Sequence, residues 1–135
     1  MARKFEARSS ARDVKGVIAL FADSAEIMVP GIPKGGKSQF DQYLQGFVQG
    51  FPDQTMRIVS MIESGDTAAG EIEYSGTNTG SMPSPMGGMM PPTGKRMMVP
   101  GAFVIKAKDG KIVSFHGYFD QAAMAQQLGM AQQPR

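Results

Sequence analysis

The sequence predicts a single α+β domain, residues 1–135, in which helices pack on one face of a curved antiparallel sheet. Three observations support this fold class. The helical patterns lie mostly in the first part of the chain. The long strand candidates then follow one another through tight-turn signals, which favours antiparallel pairing. The length of 135 residues suits one domain with one hydrophobic core.

Apolar spacing predicts the helices. The chain through about Phe21 is expected to form two short helices, because its apolar residues lie at helical spacing: Val14, Val17, Ile18 and Phe21. A longer helix is predicted from a stripe that repeats over three turns: Phe40, Tyr43, Leu44, Phe47, Val48 and Phe51. Ser38 and Asp41 have spacing similar to a capping box at its start, and Pro52 ends it.

Alternating patterns predict the strands. A short strand at residues 25–29 ends at a cluster of proline and glycine within residues 30–36. Long strands are predicted at residues 55–62, 67–77, 95–108 and 111–119. Asp109 and Gly110 give a strong hairpin signal between the last two. A short closing helix is predicted after the final strand and ends at Gly129.

Composition limits the classes of function. The chain has no cysteine and one histidine, which argues against disulfides and zinc, so we expect cofactor-free chemistry without a metal. Its net charge is +2, and Glu6 and Asp13 interrupt the basic residues near the N-terminus, so we expect no nucleic-acid partner. No apolar run has the length of a membrane span and no signal-peptide pattern is present, which predicts a cytoplasmic protein without a membrane partner.

The predicted terminal strand carries an imidazole, a phenol and a carboxylate on one face. His116, Tyr118 and Asp120 share this face because side chains alternate along a strand. These groups can exchange protons and stabilise an enolate, so they are candidate catalytic residues. Alternatives stay open, since Asp120 can also cap the following helix, His116 can bond a carbonyl, and Tyr118 can line a pocket or the core.

Several stretches of the chain resemble the SnoaL-like polyketide cyclase family. The matching stretches are Ala19–Gly31, Gly50–Asp53, Ser75–Gly80, Pro91–Val104 and Asp109–Gln121. The family belongs to a superfamily that includes nuclear transport factor 2, ketosteroid isomerase and scytalone dehydratase. The resemblance implies a cone-shaped, highly curved antiparallel sheet (cystatin-like or nuclear transport factor 2-like) that wraps around the N-terminal helices and encloses an apolar pocket.

The resemblance also implies roles for individual residues. In the polyketide cyclases of this family, an aspartate at the end of the last strand is the proposed acid/base of an intramolecular aldol ring closure, and Asp120 matches it in the YFD sequence. Ketosteroid isomerases have their base just after the first strand, where residues 27–30 of this chain contain no carboxylate. Many family members have histidine where this chain has Asn78.

The expected pocket is mainly aromatic and rich in methionine. Its predicted lining residues are Phe21, Phe47, Phe51, Tyr74, Asn78, Met86, Met89, Met90 and Phe103. Tyr74 is expected to point inward with Ile72, and Glu71 and Glu73 outward, because the two pairs alternate along one strand. The loop at residues 78–94, with its methionines, is either a lid over the pocket or a dimer contact.

Two functions are compatible with this sequence. One is a cofactor-free enzyme of cyclase or isomerase type that acts on a hydrophobic carbonyl compound, with Asp120 as the proton carrier. The other is a non-catalytic protein that binds a hydrophobic small molecule in the same pocket. A homodimer is expected in either case, because four long strands have too few helices to cover both faces of the sheet.

Overall fold

A computed structural model describes residues 1–30, 32–83 and 88–129 of the chain. In chain order, its helices and strands are α1 (Ala2–Ser10), α2 (Val14–Ile18), β1 (Phe21–Val29), β2 (Ile32–Gly35), α3 (Lys37–Gly50), β3 (Thr55–Ser64), β4 (Thr67–Thr77), β5 (Met82–Pro83), β6 (Met89–Met90), β7 (Arg96–Lys108), β8 (Lys111–Phe119) and α4 (Gln121–Gln127).

Six of the strands form one curved sheet in the order β2-β1-β8-β7-β4-β3. All neighbouring strands in it are antiparallel except β1 and β8, which pair in parallel. The short strands β5 and β6 pair with each other outside this sheet. Helices α1 and α3 pack against the inner face of the sheet, which confirms the predicted α+β fold with a highly curved, mostly antiparallel sheet.

The helices begin close to their predicted positions, but one predicted cap is wrong. Helix α3 begins at Lys37, and its N-cap is Gly36 rather than Ser38. The Gln39 side chain accepts a hydrogen bond from the Gly36 amide at 3.0 Å, so Gln39 and not Asp41 is the side chain that folds back onto the helix start.

Strands β1 and β3 are longer than their sequence patterns indicate, whereas β4 and β8 have the predicted bounds. Strand β1 begins at Phe21, so this residue belongs to the sheet and not to the second helix. The proline and glycine cluster after β1 contains the edge strand β2. The hairpin between β7 and β8 is confirmed. Asp109 and Gly110 have φ angles of +53° and +78°, the two positive values that a type I′ turn requires.

Two apolar clusters form the core. The larger one lies between the sheet and helices α1 and α3, and it contains the ring contacts Phe5–Phe115 at 4.9 Å and Phe21–Phe40 at 5.4 Å. The smaller one lies beneath α4, and its buried members are Phe51, Met97, Val99 and Leu128. Nearly all the side chains in both clusters are apolar, so burial of apolar area is the main stabilising term.

Side chains of α1 cover part of the edge of the sheet. Among the described strands, none pairs with the outer side of the edge strand β3. Instead, the Ser10 hydroxyl donates to the Met56 carbonyl at 2.7 Å and accepts from the Met56 amide at 3.1 Å. Glu6 accepts from the Ile58 amide at 2.7 Å. These contacts satisfy backbone groups that a neighbouring strand would otherwise pair.

The orientation of β4 agrees with the prediction from alternation. Tyr74 packs against both apolar clusters on the inner side of the sheet. Glu71 and Glu73 lie on the outer side, where Ser60 donates to Glu71 and Arg57 forms an ion pair with Glu73 at 3.0 Å. The inner side of β4 therefore carries no carboxylate.

Candidate functional site

A cavity of about 40 Å³ lies between the inner face of the sheet and the helices α1 and α3. The helices contribute Ala2, Phe5, Phe40, Tyr43 and Leu44, and the sheet contributes mainly apolar side chains, among them Met56, Ile58, Ile72, Phe103, Ile105 and Phe115. Among the described residues, none that line this cavity carries a carboxylate, an imidazole, an ammonium or a guanidinium group. The polar side chains in the lining are three tyrosines: Tyr43, Tyr74 and Tyr118.

Tyr43 and Tyr74 are the polar groups deepest in this cavity. Burial raises the pKa of Tyr74 to about 12. Burial also raises the pKa of Tyr43 far above its usual value, and the neighbouring Tyr74 phenol adds to that rise. Both hydroxyls are therefore protonated at neutral pH and can donate hydrogen bonds. Neither forms a hydrogen bond with another residue in the described parts of the chain.

The face of β8 that points into the cavity is the opposite of the predicted one. Phe115, Gly117 and Phe119 line the cavity, and Phe115 and Gly117 are buried. His116 lies on the other face, half-buried, and its buried Nε2 atom has no hydrogen-bond partner in the described part of the structure. Tyr118 reaches the rim of the cavity, but 48% of it is exposed. Alternation placed these residues on a common face but did not show which face points inward.

Asp120 is an exposed residue outside the cavity lining. It is the N-cap of α4, and its Oδ1 atom accepts a hydrogen bond from the Ala123 amide at 2.9 Å. The predicted placement in an apolar pocket is therefore corrected, because the chain turns outward after Phe119 to begin this helix. The alternative that Asp120 caps the helix describes its position in the structure.

The predicted aromatic pocket residues occupy several places. Phe103 and Tyr74 line the cavity. Phe21 is in the larger core cluster and Phe51 in the smaller one, both at most 1% exposed and outside the lining. Phe47 stacks between Phe51 and Tyr74, with ring centroids 6.0 Å from each, behind the wall of the cavity.

Asn78 is a structural residue rather than a pocket residue. It is 2% exposed, and its Nδ2 atom donates to the Gly50 and Gly80 carbonyls at 3.0 Å each. Its Oδ1 atom accepts from the Thr93 amide at 2.8 Å and from the Thr93 hydroxyl at 2.9 Å. Asn78 therefore joins the end of α3 to both ends of the loop before β7, and its predicted place in the pocket is corrected.

The methionine-rich loop does not line the cavity at its described positions. Met89 is 54% exposed and Met90 is half-buried, and both belong to the pair of short strands β5 and β6. Met86 lies outside the described residues. The expectation that Met89 and Met90 border the pocket is therefore corrected, since β5 packs near α3 rather than over the cavity.

Tyr43 lines the cavity but was not predicted as a site residue from the sequence. It was identified only as part of the apolar stripe of α3, although a phenol within such a stripe is a signal for a buried donor. Phe115 and Phe119, which line the cavity from the other face of β8, were not predicted as site residues either.

Comparisons with known proteins identify the family. The model of the SnoaL-like domain matches residues 2–115, so the chain belongs to the SnoaL-like domain family. The match ends before His116, Tyr118 and Asp120 and carries no information on them. A comparison with curated protein sequences found no match.

Solved structures share the fold. AclR from Streptomyces galilaeus, a proposed hydroxylase, has a TM-score of 0.83 at 19% identity, over 99% of this chain and 82% of its own. IdmH from Streptomyces antibioticus, a proposed polyketide cyclase, has 0.79 at 23% identity, over 95% of both chains. A hypothetical protein from Catenulispora acidiphila with a ketosteroid isomerase-like fold, solved with trimethylamine, has 0.77 at 18% identity, over 98% of this chain and 96% of its own. At these identities the likeness shows a common fold.

Membrane-spanning helices and metal sites are two further features to consider. No helix within the described ranges is long and apolar enough to cross a membrane. No group of three or more histidine, aspartate or glutamate side chains in those ranges is arranged to hold a metal ion.

Proposed function

We propose that this protein binds a hydrophobic carbonyl compound in the cavity between the sheet and the helices, with Tyr43 and Tyr74 donating hydrogen bonds to the carbonyl oxygen. The observation that carries this proposal is the pair of protonated phenols in an apolar lining, neither of them bonded to a described residue. A neutral phenol in an apolar lining can donate to a ligand carbonyl without the desolvation cost that a charged group would carry.

Family membership supports the same class of ligand. The SnoaL-like domain family and the proposed polyketide cyclase IdmH point to polyketide-type carbonyl compounds. Such molecules combine a large apolar surface with carbonyl acceptors. The cavity offers apolar contacts for the apolar surface of such a ligand and two phenol donors for its carbonyl groups.

Binding of Prodan, a fluorescent naphthyl ketone, tests this proposal, and N-phenylnaphthylamine serves as an apolar probe without a carbonyl. Tyr43→Phe and Tyr74→Phe should each weaken Prodan binding by about 1 kcal/mol, roughly fivefold, because each removes one neutral hydrogen bond. Binding of N-phenylnaphthylamine should not weaken. The matched control is Tyr118→Phe, whose phenol is half exposed at the rim. Equal Prodan affinity in the parent and both variants, or no Prodan binding at all, would reject the proposal.

A second candidate is a cofactor-free reaction of cyclase or isomerase type with Asp120 as the proton carrier. It is favoured by the position of Asp120 directly after Phe119, which lines the cavity. Only Oδ1 of the carboxylate is bonded among the described residues, so Oδ2 is available to a ligand. In this reaction the Asp120 carboxylate removes a proton next to a ligand carbonyl at the rim of the cavity, where the half-exposed Tyr118 phenol stabilises the enolate that forms.

Exchange of the α-protons of Prodan into deuterated water, followed by NMR, measures this chemistry. Asp120→Asn should abolish the catalysed exchange and change the free energy of unfolding by less than about 1 kcal/mol, since asparagine also caps helices. The control is Asp23→Asn, an exposed carboxylate on β1 whose partner is Lys37. Equal exchange in Asp120→Asn and the parent protein would leave ligand binding as the function.

We also infer a homodimer through the outer face of the sheet. Val59 and Met98 lie there with 53% and 47% of their surface exposed. Together with Pro100 and the glutamates of β4 they border a groove of about 300 Å³. A second copy of the chain would remove this apolar surface from water.

A further inference from the structure

Helix α4 lies over one wall of the cavity. Two rings, Tyr74 and Phe119, belong both to the cavity lining and to the packing of the smaller core cluster. On the other side of these rings, that cluster includes Ala123 and Met124 of α4 and the buried Leu128 just after it. The rings therefore separate the cavity from α4.

Phe47, Tyr74 and Phe119 close this wall by mutual contact. Phe47 stacks on Tyr74 at 6.0 Å and meets Phe119 edge to face at 6.0 Å, and Tyr74 and Phe119 are 6.1 Å apart. The cavity behind them measures about 40 Å³, whereas pockets for drug-sized ligands measure roughly 300–1,000 Å³. Outward movement of these rings, into the space that α4 occupies, would enlarge the cavity beside Tyr74 for a polycyclic ligand.

The hydrogen bonds between α4 and the rest of the described chain lie at its two ends. At the start, Asp120 caps the helix, and its amide donates to the Pro100 carbonyl at 3.3 Å. At the end, Oε1 of Gln127 accepts from the Met98 amide at 2.6 Å, and Nε2 of Gln127 donates to the Met98 carbonyl at 2.9 Å. None of the residues of the helix itself, Gln121–Gln127, is buried. A helix of seven residues depends on such docking for its stability.

We propose that α4 is the lid of the cavity, with Asp120 as its hinge and the two hydrogen bonds between Gln127 and Met98 as its latch. When the latch opens, Ala123 and Met124 leave Phe47 and Phe119, and the rings gain room to turn and admit a ligand. This inference rests on the proposed binding function, since it specifies the route into the same cavity. Gln127 is a positioning residue, because it acts on the ligand only through α4.

The latch is tested by Gln127→Ala, with Gln126→Ala on the same helix as the matched control, because Gln126 makes no side-chain hydrogen bond with a described residue. Stopped-flow fluorescence with Prodan should show association and dissociation rates that both rise about fivefold in Gln127→Ala and stay unchanged in Gln126→Ala. Unchanged rates in both variants would overturn the role of Gln127.

A covalent lock provides the converse test. The chain has no cysteine, so Met98→Cys together with Gln127→Cys supplies two thiols that a short bifunctional thiol reagent can join. The cross-linked protein should admit Prodan at least about tenfold more slowly than the same protein before cross-linking. Equal entry rates would place the entrance elsewhere and would leave the proposed binding function intact.

Hydrogen exchange gives a readout that needs no ligand. The Met98 amide is the donor of the latch, so its exchange in the free parent protein should be much faster than that of the Phe103 amide in the sheet, and faster still in Gln127→Ala. If Met98 exchanges only as slowly as Phe103, the latch opens only on global unfolding, and α4 is not a lid. Failure of Prodan to bind the parent protein would reject the binding function, and the Met98 amide would still decide whether the lid opens.

Discussion

Replacement of Asn78 by alanine should destabilise the protein more than any surface substitution near it. The side chain is 2% exposed, and its hydrogen bonds to described residues include four, with the carbonyls of Gly50 and Gly80 and with the amide and hydroxyl of Thr93. Alanine removes these four hydrogen bonds and supplies no polar group to replace them. Each neutral hydrogen bond contributes about 1 kcal/mol, and some partners regain water, so we expect a loss of about 2–4 kcal/mol in the free energy of unfolding.

Urea denaturation followed by circular dichroism measures this loss. With a slope of about 1–3 kcal/mol per molar urea for small proteins, the midpoint should fall by about 1 M or more while the slope stays unchanged. The matched control is Thr79→Ala at the exposed neighbouring position, where the change should stay within about 0.5 kcal/mol. A loss below about 1 kcal/mol in Asn78→Ala would mean that water replaces the amide at low cost, and that Asn78 does not hold the loop.

Three further predictions concern pH and assembly. Burial raises the pKa of Tyr74 to about 12. The free energy of unfolding should therefore not depend on this group below about pH 10 and should fall as the pH rises towards 12. Tyr74→Phe should remove this fall in an alkaline denaturation series. Burial raises the pKa of Glu6, but the hydrogen bond from Ile58 and the charge of Arg3 outweigh this effect and lower the pKa overall. Glu6 should therefore stabilise the fold above about pH 4.3, and this stabilisation should be lost as the pH falls through the folded pKa. Glu6→Gln should make stability depend less on pH in this acid range. Light scattering should return twice the chain mass of 14.5 kDa, Val59→Lys should return the monomer mass, and a monomeric parent protein at micromolar concentrations would contradict the dimer.

The fold could be predicted from the sequence because its signals are local. Two positive φ angles in adjacent residues are available to Asp109 and Gly110, and the apolar stripe of α3 repeats over three turns. The strand β2 could not be predicted from its own residues, because proline and glycine around Ile32 indicate a break. Its pairing with β1 is a tertiary contact that overrides this local preference.

The site was harder to predict from the sequence than the fold, because it depends on which face of each strand points towards the cavity. Alternation puts Tyr118 and His116 on one face, but only the packing of Phe115 against Phe5 shows that this is the outer face. The role of Asn78 depends on a carbonyl group 28 residues before it and a threonine 15 residues after it. Distances of this kind do not follow from the spacing of residues along the chain.

Side chains of the N-terminal helix α1 cover part of the β3 edge, and this cover protects the protein against aggregation. Glu6 and Ser10 pair with backbone groups 52 and 46 residues further along the chain, so β3 has no cover at this edge until α1 docks. A shortened chain without α1 would present the Met56 and Ile58 backbone groups to other molecules, and such open edges favour strand addition between chains. We therefore expect that removal of the first ten residues lowers the solubility of the protein.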